Sequence, residues 1–293
     1  MRALLEDVKH AGKKLLADNM TMFASALAYS TFFAIPSIGL VAVGLFTLVA
    51  GPQTIDSLIS SFGHVMPRQA TDLIGQSLHR LDHRPGTTIT LTVVGLVLAV
   101  WSVSGAMTSF MTAVNVAYGR KDSRSFVRKR AVALVMAACI GVAFLLLAGL
   151  LILGPQIEKR VGSAVGAPTL VAYLWWALQW PILVAGLLAA FGAVLYLAPD
   201  LDDRELRFVT PGTVAAAIVW LAASGVFAVY TAKFGSYDKT WGSLSAVIVM
   251  LTWLWLSSLA LLFGAELDAT IEAKVAPFRE RHRDPTFVSS RPA

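Results

Sequence analysis

Residues 244–269 read "LSAVIVMLTWLWLSSLALLFGAELDA". From Leu244 to Ala265 no side chain carries a charge, and then Glu266 and Asp268 arrive together. A helix rising 1.5 Å per residue needs about 20 apolar residues to cross roughly 30 Å of hydrocarbon. The run is long enough to span a bilayer, and counting from Ser243 puts Glu266 at or just beyond the far boundary. Asp268, two positions on, points about 200° away around the helix and is expected to be the more exposed of the two.

The rest of the chain has the same character. Of 293 residues, 56% are hydrophobic and 14% charged, against about 25% charged in an ordinary soluble domain. The mean hydropathy is +0.68. Six runs are long and apolar enough to cross a membrane: 21–50, 89–118, 131–153, 170–198, 209–232 and 243–265. The stretch 161–199 holds no Asp, Glu, Lys or Arg. This predicts an all-α protein, a polytopic bundle of six transmembrane helices over 21–270. It is preceded by an amphipathic segment, 1–20, and followed by a cytoplasmic tail, 271–293.

An even number of spans puts both termini on one side of the membrane. On that side fall 17 of the 24 Lys and Arg residues, six of them in "GRKDSRSFVRKR" (119–130). Cations accumulate in short cytoplasmic loops, so both termini are expected in the cytoplasm and the loop 51–88 outside. The net charge of +6 is accounted for by this topology signal, and no nucleic-acid motif accompanies it. "MRALLEDVKHAGKKLLADN" (1–19) has no signal-peptide core. Leu4, Leu5, Val8, Gly12, Leu15 and Leu16 share a helical face, with Lys9, Lys13 and Lys14 elsewhere. Two readings stand: a helix on the membrane surface with its lysines on lipid phosphates, or a cytosolic helix packed on the bundle.

The outer loop 51–88 has apolar residues at helical spacing and predicts two short amphipathic helices. His79 and His83 are four apart, the spacing of two metal-binding imidazoles on one face, but no third ligand supports them. Solvated histidines are the expectation, with no metal and no cofactor. The single cysteine, Cys139, excludes internal disulfides and a cysteine-built zinc site.

Polar residues within spans mark pathways or helix contacts. Ser104, Thr108, Thr112 and Asn115 fall on one face of the second span and read either as the wall of a substrate path or as interhelical hydrogen bonding. Pro36 and Pro181 interrupt the first and fourth spans, and each frees a carbonyl one turn back. Tyr29, on the Pro36 face, is expected with Asn115 in the interior. Gly242, Ser257, Ala260 and Gly264 line one face of the last span, and Ala260 and Gly264 make a small-xxx-small contact surface.

Four stretches together resemble one family. They are "ASALAYSTFFAIPS" (24–37), "VWSVSGAMTSFMTAVNVAYG" (100–119), "YLAPDLDDRELRFVTPGTVAAAIVW" (196–220) and "VYTAKFGSYDKTWGSLSAVIVMLTWLWLSSLALLFGAELDA" (229–269). In order and spacing they resemble the YihY/virulence factor BrkB family of bacterial inner-membrane proteins. The resemblance implies a six-helix inner-membrane protein with a transport or envelope role, and it brings an old ribonuclease BN label. The residues give that label no support. A metal-dependent nuclease gathers carboxylates around its cations, whereas the acids of 200–205 sit in a short loop where solvation is the ordinary state.

An enzyme is therefore not expected. Two functions remain: translocation of a small solute or lipid between the helices, or a structural, partner-binding role in the envelope, with membrane lipids as neighbours in either case. For translocation the candidate path or gate is Tyr29, Pro36, Ser104, Thr108, Thr112, Asn115 and Glu266. A carboxylate at the place of Glu266 is expected to be partly buried and paired with a cation or donor, with Asn115 and the basic loop 119–130 at the same level. The sequence does not indicate an oligomeric state.

Overall fold

The computed structural model describes residues 2–49, 85–201, 209–233 and 243–283. Seven helices account for almost all of them: α1 (Arg2–Ala17), α2 (Met20–Val49), α3 (Pro85–Ala117), α4 (Phe126–Val165), α5 (Pro168–Leu197), α6 (Pro211–Lys233) and α7 (Ser243–Arg283). No strand occurs among the described residues. Helices α2 to α7 are each long and apolar enough to cross a membrane. The expected all-α, six-span architecture is the one observed.

The helices keep the expected order but not all the expected lengths. α4 runs 40 residues and α7 41, well beyond the roughly 20 that hydrocarbon requires. α7 does not stop where its apolar run stops. It continues through Glu266 and Asp268 to Arg283, across the boundary drawn between bundle and tail. α2, α4 and α5 pass unbroken through Pro36, Pro155 and Pro181. The outer loop up to residue 84, with His79 and His83, lies outside the described residues, as do Gly242 and the acids at 202, 203 and 205.

The chain divides into two compact units, Tyr29–Ala106 and Met1–Ala28 with Met107–Ala293. In the first, the rings of Tyr29 and Phe33 pack 4.6 Å apart, and Ala34, Ala99, Ser104 and Ala106 are buried. Tyr29 itself is 61% exposed. It is not an interior residue, and the expectation that it faces inward is corrected.

The larger unit has a core of small and flexible side chains: Met20, Ala24, Met111, Ala113, Val114, Ala117, Met136, Leu262, Ala265 and Ala269. Small residues let helices approach closely, which matters where lipid tails are as apolar as leucine and burial drives nothing. The seam between α6 and α7 follows this rule. A Cβ on Gly264 would stand 2.6 Å from the Gly212 carbonyl oxygen and 2.8 Å from the Ala216 Cβ. Ala260 is buried, and the Trp220 indole donates to the Ser257 hydroxyl at 3.0 Å. Ser257 and Gly264 thus both meet α6.

α4 and α5 form a hairpin closed by Gly166 at φ 71°, a left-handed value that glycine adopts without strain. Pro168 then starts α5, where a missing N–H costs nothing. Outward faces carry large apolar groups, such as Phe144, Leu145 and Trp176. That is the surface of a protein whose solvent is hydrocarbon.

Candidate functional site: a buried carboxylate at one end of the bundle

α1 and α2 are separated by a two-residue turn at Asp18 and Asn19, where Asn19 adopts φ 53°, a conformation that Asn tolerates better than most residues. The turn lays α1 against α7. At one end of the contact Lys274 of α7 donates to Asp7. At the other, Lys14 Nζ stands 3.1 Å from Oε2 of Glu266. Asp7 pairs with the later residue of α7 and Lys14 with the earlier one, so the two helices run antiparallel. Seven residues on α1 match eight on α7, close to two helical turns on each.

α1 packs on the bundle through α7. Its buried face matches the one the leucines suggested only in part. Ala11 and Leu15 are buried, whereas Leu5 and Leu16 are exposed, Leu16 at 67%. The inward arc runs through Asp7, Lys14 and Asp18 beside Ala11 and Leu15, and two charges on it have partners on α7. Lys14 meets Glu266 and the Ala117 carbonyl of the protein.

Glu266 has no exposed surface at all. Neither of its carboxylate oxygens accepts a hydrogen bond among the described residues. The Lys14 contact is close enough for an ion pair, but its direction falls outside hydrogen-bond geometry. Lys14 has other partners: it donates to the Ala117 carbonyl at the end of α3 and lies 3.6 Å from the Asp18 carboxylate. The expected burial and pairing of Glu266 are observed. The cation comes from α1, not from the basic loop 119–130.

Asp268 is the more exposed of the two acids, as expected, but it does not project into water. It is partly buried, accepting the Thr210 hydroxyl at 2.6 Å and the Gly212 N–H at 2.8 Å. Gly212 lies in the first turn of α6, where backbone N–H groups lack intrahelical partners. Asp268 therefore caps α6 from a neighbouring helix. Nearby, burial pushes the Tyr118 phenol above its usual range, and the charges of Asp268 and Glu272 add to the effect.

A second polar cluster ties the loop after α3 to the end of α5. The Arg124 side chain is almost fully buried. It donates to the Asp122 carboxylate at 2.9 Å and to the carbonyls of Leu197 and Ala198 at 3.2 and 2.6 Å. Asp200 accepts the Ser123 N–H at 2.8 Å and its hydroxyl at 2.6 Å, and its own N–H donates to Asn115 Oδ1 at 2.8 Å. Lys129 adds a contact to Asp122 at 3.0 Å. Burial pushes the Asp122 carboxyl up, but hydrogen bonds from Arg124 and Lys129 outweigh it and hold the group below the ordinary range. The Ser123 hydrogen bonds hold Asp200 low against its partial burial. Solvation is thus not the state of Asp200.

The polar face of α3 is not a continuous wall. Ser104 and Asn115 are buried, while Thr112 is exposed. Ser104 donates to the Val100 carbonyl at 2.5 Å, Thr112 to Thr108 at 2.9 Å and Asn115 to Met111 at 2.8 Å, each one turn back along the same helix. Pro36 lies on an exposed face. Among the described residues no three His, Cys, Asp or Glu side chains gather as a metal site would require. Sequence reasoning missed Lys14, Asp122, Arg124 and Asp200. Lys14 was within reach, since Asp7 and Lys14 are seven apart and share a helical face. Nothing local in "RKDSR" (120–124) distinguishes Arg124 from its exposed basic neighbours.

Comparison with known proteins covers nearly all of this architecture. The family model of virulence factor BrkB matches residues 11–286. The chain belongs to the virulence factor BrkB family. Within it, the ribonuclease-like protein YfkH of Bacillus subtilis (strain 168) is 30% identical over 254 residues, which is 85% of this chain and 90% of YfkH. A UPF0761 membrane protein of Azotobacter vinelandii is 28% identical over 274 residues and one of Chromohalobacter salexigens 27% over 254, covering 89% and 84% of this chain. The matched regions span only 62% and 58% of those two longer relatives. No solved structure matches. The family match begins within α1 and ends beyond the clamp on α7, so Lys14, Asn115, Asp200, Glu266 and Asp268 all lie inside it.

Proposed function

We propose that this BrkB-family membrane protein translocates a small solute or a lipid across the bacterial inner membrane, gated by Glu266 and Lys14 at the cytoplasmic end of the bundle. One observation carries the reading. A carboxylate with no exposed surface is matched by a lysine from α1, a helix outside the six spans. A structural ion pair inside a bundle needs no partner from outside the spans. A gate does, because opening must separate the two charges without unfolding the spans. The cytoplasmic placement of this end follows from the 17 of 24 cations in its segments.

The chain is read here as a non-enzyme, with neither metal nor nucleic acid as a working partner. YfkH bears a ribonuclease-like name, but Asp122, Asp200 and Asp268 of this chain are each held by donors of the protein itself. A second reading, a structural or partner-binding envelope protein without a substrate of its own, is favoured by α3. Its Ser104, Thr112 and Asn115 each donate to a carbonyl one turn back along their own helix.

Flux separates the two. Full-length protein in proteoliposomes, screened for release of encapsulated solutes and for exchange of labelled lipid between leaflets, is compared with Glu266→Gln. Flux above protein-free vesicles that changes in the variant supports a gate. Well-folded protein with no flux in either assay gives the structural reading the field.

A further inference from the structure

Glu266 and Lys14 are unequal partners. If Lys14 withdraws, it keeps the Ala117 carbonyl and the Asp18 carboxylate. Glu266 keeps no hydrogen-bond donor among the described residues, and the Asp18 carboxyl beside it carries a like charge. Breaking a buried pair and leaving one charge alone is strongly unfavourable. A gate built on this pair opens more readily when another cation takes the place of Lys14.

Resting on the translocation reading above, we infer that Glu266 is a recognition site for a primary ammonium group, and that Lys14 is its built-in occupant, displaced by the amine of the substrate. The chemistry follows from what Lys14 leaves undone. Its ammonium is tethered to α1 and already donates to Ala117, so it reaches Oε2 at 3.1 Å without hydrogen-bond alignment. An untethered primary ammonium aligns its N–H groups on the carboxylate and forms the charge-assisted hydrogen bonds that are missing. The site is sized by a lysine terminus, a primary ammonium on an alkyl chain. A quaternary ammonium has no N–H to donate.

The occupant is also easy to remove. The Lys14 side chain is 32% exposed, so amines reach it from water. The other point of the α1 clamp is Asp7 with Lys274; the Asp7 side chain is 13% exposed and that of Lys274 61%, so the lysine can leave to water. The exchange is neutral in charge: one monovalent cation enters as another leaves. The amine has two possible sources, a soluble molecule such as ethanolamine or the headgroup of phosphatidylethanolamine.

Chemical rescue tests the assignment without any flux measurement. Lys14→Ala is expected to melt well below wild type in phosphatidylcholine nanodiscs, and ethanolamine or ethylamine to restore most of the loss saturably. Choline restores nothing, and neither does any amine once Glu266→Gln is added. Nanodiscs containing phosphatidylethanolamine form the second arm: restoration by them and not by free amine assigns the lipid headgroup, and the converse a soluble amine.

Should Lys14→Ala not fold, a fluorophore on Leu16→Cys in a Cys139→Ser background reports release of α1 by the same amines. That response is expected in the otherwise native protein and absent in Glu266→Gln. Where both variants fold, loss of the tethered competitor lowers the half-saturating amine concentration roughly ten-fold or more. Rescue by choline as well as by ethanolamine, persistence of the response in Glu266→Gln, or no response to either source overturns ammonium recognition. Altered flux in Glu266→Gln would then still support the gate by itself.

Discussion

Asp268 caps a helix to which it does not belong. Its carboxylate takes the Gly212 N–H at 2.8 Å and the Thr210 hydroxyl at 2.6 Å, while its own helix passes close enough for Gly264 to touch Gly212. The cap and the glycine contact pin the same end of α6 to α7.

Asp268→Ala should therefore act on stability. Loss of a capping carboxylate costs about 1–2 kcal/mol, and thermal unfolding in detergent should show a loss of that order. Asp268→Asn keeps an acceptor and is expected to lose less. If Asp268→Ala melts like wild type, the cap contributes nothing.

The neighbouring acid should behave differently. Lys14→Ala strands a buried carboxylate and is expected to cost about 3 kcal/mol, the low end for a broken buried pair because Lys14 is one-third exposed. Glu266→Gln leaves Lys14 with its two remaining partners and costs less. The double variant should be more stable than Lys14→Ala alone, a reversal that a double-mutant cycle measures directly. Additive losses would contradict the pairing.

Acid should loosen the second cluster. Asp122 and Asp200 are held below the carboxylate value of about 3.9 expected in an unfolded chain. A group depressed on folding contributes stability that is complete above the unfolded value and disappears as pH falls through the folded one. Melting temperature should thus drop below about pH 4, and more shallowly in Asp122→Asn and Asp200→Asn. Equal acid slopes in wild type and both variants would show that other groups govern the loss.

Topology is open to labelling. In a Cys139→Ser background, a cysteine at Ser125 should be shielded from an impermeant thiol reagent in intact cells and one at Gly75 should react. A Ser125→Cys variant labelled from outside would invert the proposed orientation.

Charge spacing alone determined the six long apolar helices and their order. Hydrocarbon admits few charges and requires about 20 apolar residues per crossing, so the pattern is written residue by residue. The packing face of α7 was equally legible, because Ala260 and Gly264 are small wherever they are placed. The burial of Glu266 could be inferred from its depth along the helix. Its partner could not. Lys14 lies 252 positions away, and on α1 the leucines marked the inward arc only in part, since Leu15 is buried but Leu5 and Leu16 are exposed while two charges turn inward.

The same division holds for Arg124 and Asp200, whose partners are carbonyls, an amide and a serine from other segments. A hydrogen bond to a distant backbone leaves no spacing rule in the local sequence, so only tertiary structure decides which of many loop charges is buried and which is solvated. Chain order sets how deep a residue lies in the membrane, and the docking of helices sets what it meets there.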